Sequence, residues 1–277
     1  MRKFLSVMAF AACSVTVLSA ALTAELFDHS TYNAILQRRV NDKGEVDYEE
    51  LRQNDASALE GYLEQLADAD LAGWSLKERT AFWINAYNAH LMNLILNRPK
   101  LKKISDDWEL FNIDFKVAGR RLSLNDISHR ILFDQINPDD QKGPIERVSL
   151  EKPDPRVHFA LSNGAMGAPR LRAFAYTAEN VEDTLQMDAV AFANAPKNVD
   201  EVDGHLRLSM IFKWYRKDFK ALGGVPDYLA GLLDSEKRGD AETLKQLLAK
   251  DYQKAEFYYD WTLNDVRSDP INRSEPP

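Results

Sequence analysis

The chain has 277 residues, of which 45% are hydrophobic and 28% are charged, a composition typical of globular rather than disordered proteins. With 35 basic and 43 acidic residues, its formal net charge is −8. That charge argues against a general nucleic-acid-binding protein, which needs a basic face to neutralise phosphates. The single cysteine excludes both a disulfide framework and a four-cysteine zinc site.

Residues 1–24 have the pattern of a secretory signal peptide. Arg2 and Lys3 precede an apolar, charge-free run that ends in small residues. The alternative is an uncleaved membrane anchor, but the alanine- and serine-rich end of the run favours cleavage. We therefore expect a periplasmic or secreted protein with no membrane span after cleavage. The mature chain would also lose Cys13 and with it the only thiol.

Residues 25–267 are expected to form a single domain, followed by a polar tail over 268–277. The sequence contains no Gly/Ser-rich linker and no internal repeat. The most linker-like stretch, 141–155, is better interpreted as a long loop.

Hydrophobic periodicity, caps and turns predict the elements in chain order. The first are a helix over 57–67, a helix over 75–97 opened by the capping box Ser75–Glu78, and a hairpin of strands 115–117 and 121–122. A helix over 124–133 capped by Ser123, a strand over 157–161 and a helix over 177–193 capped by Thr177 follow. The last are strands 198–202 and 205–208 around Asp203-Gly204, helices 210–219, 226–233 and 241–249 (capped by Asp240), and a strand over 257–261. Together they predict a single-domain α+β fold, with a buried central helix packed on a small, mostly antiparallel sheet among several surrounding helices.

The predicted central helix carries amides on an otherwise apolar surface. Asn85 and Asn88 are three residues apart and so lie on one face. An unpaired buried amide costs about 1–3 kcal/mol, so both side chains need partners. They either bind loop backbone and hold the core in register, or line a site.

A second candidate is His158, which lies in the predicted strand 157–161. Two turns, at Asn163-Gly164 and Gly167–Pro169, follow it directly, and Arg170 and Arg172 come next. Loops on rigid elements often hold functional residues. His158 is therefore either a buried core histidine or the centre of a site.

Other chemistries have little support in the sequence. The five histidines show no HxxxH or HExxH spacing, and the single pair Asp126–His129 is too little for a metal site. No GxSxG elbow, Walker A motif or dinucleotide fingerprint is present. We expect no metal and no cofactor.

Several motifs are nonetheless recognisable. The most specific are AFWINAYNA (81–89) and RVHFAL (156–161); the others are VDY (46–48), LSLNDISH (122–129), LSMIFKWY (208–215) with Asp218-Phe219, and YDWTLN (259–264). On these motifs the chain resembles the bacterial members of the domain-of-unknown-function 547 family. The resemblance implies export and a papain/transglutaminase-like fold, in which the helix of Asn85 would face His158.

The chain differs from typical members of that family at three positions. Asn163 and Ala168 stand where relatives typically have cysteines, and Ser128 stands where they commonly have glutamate. If a cysteine is the nucleophile in relatives, this chain cannot perform their reaction. If the two cysteines form a disulfide, losing both leaves a site intact.

Two hypotheses about function follow. The first is a binding or assembly role in the cell envelope, using a cleft near His158, with a small molecule, a peptide or an envelope protein as partner and no nucleic acid. The alternative is a weak, cysteine-independent hydrolase of an amide or ester. In either case the candidate catalytic residues are His158, Asn85 and Asn163, with Asp154 as another possible partner of the histidine. The candidate substrate-binding residues are Tyr87, Asn88, Arg170 and Arg172.

Overall fold

The computed structural model describes residues 27–133 and 153–268. The α-helices within these ranges are α1 (Ser30–Arg39), α2 (Tyr48–Glu50), α3 (Ala56–Asp68), α4 (Leu76–Leu96), α5 (Val181–Ala193), α6 (Ile211–Trp214), α7 (Val225–Leu232) and α8 (Ala241–Asp251). The strands are β1 (Phe115–Val117), β2 (Arg120–Leu122), β3 (Val199–Val202), β4 (His205–Ser209) and β5 (Glu256–Tyr258).

Short helices of other types connect these elements. Leu51–Asp55 and Asp126–Leu132 are π-helical, whereas the 3-10 helices are Ile104–Asp106, Trp108–Asn112, Pro155–Phe159, Lys220–Leu222, Tyr252–Lys254 and Val266–Ser268.

Helix α4 is the centre of the core, as predicted. The Ser75 side chain accepts from the Glu78 backbone N–H while the Glu78 carboxylate accepts from the Ser75 N–H, so the predicted capping box is complete. Every residue from Thr80 to Met92 is buried. The helix packs against α3, α5, the π-helix Asp126–Leu132 and the 3-10 helix Trp108–Asn112.

Two small sheets complete the fold. Strands β1 and β2 pair antiparallel around Ala118-Gly119, both with positive φ. Strands β3 and β4 pair antiparallel around Asp203 and Gly204, whose φ angles of 51° and 80° suit the predicted two-residue turn. Strand β5 adds in parallel to β4, and α8 covers this sheet. The structure confirms the predicted single-domain α+β class.

Several predicted elements differ in the structure. The expected strand 157–161 is a 3-10 helix, the helix expected over 210–219 ends at Trp214, and the helix after Ser123 is largely π-helical. Asp240 does not cap α8, because its carboxylate binds the Arg238 guanidinium instead. The proposed signal peptide, most of the polar tail and most of the loop 141–155 lie outside the described residues. None of the helices in the described ranges is both long and apolar enough to cross a membrane.

Candidate functional site

His158 lies on a single helical turn, not on a strand. Pro155 occupies the first turn of the 3-10 helix Pro155–Phe159, where a missing N–H costs nothing. The Asp154 side chain accepts from the Arg156 N–H and caps that turn. The position of Pro155 and the Asp154 cap favour a helical turn more strongly than the short apolar run favours a strand. The Asp154 carboxylate also binds the Arg156 guanidinium, so it is not the partner of His158.

The partner of His158 is Asp218. His158 Nε2 lies 2.8 Å from Asp218 Oδ2, and the ring stacks between Phe133 and Tyr215 at 3.8 Å from each ring centroid. Only 1% of the His158 side chain is exposed. Burial lowers the pKa of His158 below its usual 6.5, while the Asp218 carboxylate opposes that change. The pair therefore holds a neutral, oriented imidazole near neutral pH.

This histidine lies in the wall of a cleft of about 560 Å³. The size is within the range of about 300–1,000 Å³ that is usual for small-molecule sites. The described residues that line it are Tyr87, Trp108, Phe111, Asn112, Asn125, Ser128, His129, His158, Leu161, Asn163, Pro169, Ile211, Trp214, Tyr215, Tyr259 and Trp261. We refer to this site as the aromatic cleft. Of the sequence-predicted site residues, it contains His158, Asn163 and Tyr87.

One wall of the aromatic cleft is a cluster of rings around Trp261. The Trp261 ring centroid lies 4.4 Å from that of Tyr259, 4.7 Å from Trp108 and 5.5 Å from Trp214. Trp108 and Trp214 are 50% and 41% exposed, unusually open for such large apolar side chains. These rings come from three distant segments of the chain.

Amides and hydroxyls supply most of the polar groups of the aromatic cleft. Asn125 Nδ2 donates to Asn112 Oδ1 at 2.8 Å, so the two amides orient each other. Asn163 Oδ1 accepts from the Ala165 N–H at 3.2 Å and so stabilises the turn that contains both residues. Among the described residues of the lining there is no Asp, Glu, Lys or Arg.

Asn85 and Asn88 do not line the aromatic cleft, contrary to the functional alternative. Asn85 binds both the C=O and the N–H of Tyr176, at 2.7 and 3.0 Å. Asn88 donates to the Ala160 C=O and accepts from the Ser162 N–H, each at 3.0 Å. Each amide thus pairs with loop backbone at both ends. The expectation of a catalytic Asn85 and a substrate-binding Asn88 is corrected, because both hold loops on the central helix.

The two arginines also lie apart from His158. Arg170 lines a neighbouring cavity of about 620 Å³ and donates to the Asp42 C=O at 2.9 Å. Arg172 pairs with the buried Asp188, which also accepts from the Tyr176 hydroxyl. Neither arginine lines the aromatic cleft, so their assignment to the substrate site near His158 is corrected.

Asp218 and the tryptophan cluster were missed by sequence reasoning about the site. Asp218 belongs to the aromatic and basic segment 213–218, whose pattern indicates only an amphipathic helix. The helix ends at Trp214, and the following turns bring Asp218 to His158. The one available signal was that the family motifs contain Asp218 as well as His158. In the described ranges, no three His, Cys, Asp or Glu side chains form a group that could hold a metal.

Part of the chain matches a known protein family. Residues 71–193 match the family model described as "Protein of unknown function, DUF547". The matched segment includes the central helix, His158 and Asn163, whereas Asp218, Trp214 and Trp261 lie beyond it. No curated protein and no solved structure matches the chain.

Proposed function

We propose that the chain, whose residues 71–193 match the DUF547 family model, is a binding protein whose ligand occupies the aromatic cleft beside His158. The observation that supports this most is the cleft itself, about 560 Å³ in volume and walled by exposed aromatic rings and amides. An apolar pocket with a few placed polar groups is the usual form of a small-molecule site.

Binding without covalent chemistry agrees with the groups around His158. Asn163 lines the same cleft at a position where the family resemblance implies a cysteine in relatives, so no thiol is present there. The Ser128 hydroxyl in the lining donates to the Asn125 C=O at 3.3 Å, a bond within its own helix.

The weak hydrolase remains a second candidate because of the His158–Asp218 pair. A carboxylate at Nε2 leaves Nδ1 as the nitrogen that can exchange a proton. A histidine acting as general base on water contributes about 10²–10⁴-fold. Asp218, rather than Asn85, would orient it.

Ligand-observed NMR with indole tests the binding proposal. Indole is neutral and aromatic, and we expect saturable binding that is weakened in Trp108→Ala. The matched control is Met187→Ala, since Met187 is also 50% exposed but does not line the aromatic cleft. Absence of binding, or binding that Trp108→Ala leaves unchanged, contradicts the proposal.

Hydrolysis of p-nitrophenyl acetate separates the two candidates. Binding alone predicts no catalysed release of nitrophenol beyond the rate of a denatured sample. The hydrolase predicts turnover that is abolished in His158→Gln protein shown to be folded at the assay temperature. Turnover that persists in His158→Gln rules the hydrolase out.

We also propose export and a papain-like relationship. The N-terminal sequence supports cleavage near Ala24, which N-terminal sequencing of the protein recovered from the periplasm or medium would test. Recovery of protein that still carries residues 1–24 contradicts cleavage. The papain-like relationship rests on the family resemblance, since His158 lies on a 3-10 turn rather than on a strand. An experimental structure whose topology differs from that fold contradicts it.

A further inference from the structure

We propose that the ligand of the aromatic cleft is an uncharged carbohydrate, an inference that rests on the proposed binding function and narrows it to one class of ligand. The argument uses the charge of the lining, the exposure of the tryptophans and the type of polar groups beside them.

The charge of the described part of the lining bears on the kind of ligand that it can hold. Charged residues make up 28% of the chain, yet the described part of the lining has no Asp, Glu, Lys or Arg. A phosphate or carboxylate is normally held by Arg, Lys or a row of backbone N–H groups. A basic ligand needs carboxylates within the site. The aromatic cleft therefore favours a ligand without formal charge.

The exposed tryptophans favour a ligand with flat, partly apolar faces. Trp108, Trp214 and Trp261 line the aromatic cleft, and they are three of only five tryptophans in the chain. The face of an aromatic ring carries negative potential, which attracts the polarised C–H groups on one face of a sugar ring. Because Trp261 contacts both of the other indoles, the stacking surfaces are held in place before the ligand arrives.

The polar groups distinguish a sugar from a purely apolar ligand. An asparagine side chain both donates and accepts hydrogen bonds, as a sugar hydroxyl does. Asn112, Asn125 and Asn163 place three such side chains along the aromatic cleft. Each of these amides already has one partner in the protein, but a fatty chain or a hydrocarbon would desolvate their remaining donors and acceptors, at a cost of about 1–3 kcal/mol for each group left unpaired. A volume of about 560 Å³ suits a short oligosaccharide.

The test is intrinsic tryptophan fluorescence during titration with neutral oligosaccharides. The panel contains short oligomers of α-linked glucose, β-linked glucose, mannose, xylose and N-acetylglucosamine. We expect at least one to give a saturable change in emission. Trp108→Ala should weaken that binding about tenfold, as expected for the loss of about 1.4 kcal/mol of stacking.

Two further variants keep the result interpretable. Trp108→Phe retains a stacking face and should recover part of the affinity, which guards against a folding defect in Trp108→Ala. Met187→Ala should bind as the unaltered protein does. An affinity that is the same in Trp108→Ala and in the unaltered protein overturns the proposal, because the sugar then binds elsewhere.

Indole binding separates failure of this inference from failure of the proposed function. If no oligosaccharide of the panel binds but indole still does so in a Trp108-dependent way, the carbohydrate inference is wrong and the binding cleft stands. If only uronic-acid oligomers bind, the inference of an uncharged ligand is equally wrong. If neither the panel nor indole binds, both proposals fail.

Discussion

Replacing Asp218 by asparagine removes a charge and keeps the shape of the side chain. Asp218 Oδ2 lies 2.8 Å from His158 Nε2, beside a histidine side chain that is only 1% exposed. A hydrogen bond to a charged group is worth about 1.5–3 kcal/mol, and here that energy stabilises the protonated imidazole. Asp218→Asn should therefore lower the pKa of His158, weakening its affinity for a proton about 10- to 100-fold.

The neutral imidazole loses much less, because an asparagine oxygen still accepts from Nε2–H. We therefore expect the free energy of unfolding at pH 7.5 to fall by no more than about 1 kcal/mol. The assay is an NMR titration of the His158 ring proton, assigned with His158→Gln. His90 is the internal control, since it stacks on Phe115 at 3.6 Å, away from Asp218. A pKa of His158 that is unchanged or raised in Asp218→Asn would refute this account of the pair.

Three further predictions concern stability. Burial lowers the pKa of His29 to about 4 and that of His90 to about 3. In the unfolded chain both side chains take up a proton near pH 6.5. Acidification from pH 7 to 5 should therefore lower the free energy of unfolding, measured with denaturant, by about 2 kcal/mol for each histidine. Asn88→Ala orphans two buried backbone groups and should cost about 1–3 kcal/mol for each, measured the same way. Gly164→Ala should cost about 1–3 kcal/mol, because φ is +80° and a Cβ would lie 2.8 Å from Ile95 Cδ1.

Each of these predictions has its own control. His90→Gln should remove about 2 kcal/mol of the acid sensitivity, and an unchanged pH profile in that variant means that His90 is not one of its sources. Asn97→Ala, at an exposed asparagine, should change stability by less than about 0.5 kcal/mol, and an equal loss in both variants contradicts the clamp role of Asn88. Gly231→Ala meets no atom within 4 Å on helix α7, so it should be neutral or slightly stabilising; a Gly164→Ala variant as stable as Gly231→Ala contradicts the steric argument.

Local chemistry explains why much of the fold could be predicted from the sequence. The capping box at Ser75 and the turn at Asp203-Gly204 each depend on a few adjacent residues, and both appear in the structure as predicted. The all-round apolar surface of α4 likewise requires burial at the centre of the core. Such features need no knowledge of distant contacts.

The segment around His158 could not be predicted from local sequence patterns. Its five apolar or aromatic positions fit a strand or a short helical turn equally well. Asp154 as the cap and Pro155 in the first turn favour the helical turn. Asp218 reaches His158 across 60 residues, and no local pattern encodes that contact. The tryptophans of the aromatic cleft come from three separate segments, so their clustering exists only in the folded chain.

The central claim is that a ligand binds in the aromatic cleft beside His158. The most direct test is to follow the ring resonances of His158 and His90 while an oligosaccharide or indole is added. The account predicts a saturable change at His158, which lines the aromatic cleft, and none at His90, which is buried against Phe115. A ligand that binds saturably while the His158 resonances stay unchanged would contradict it.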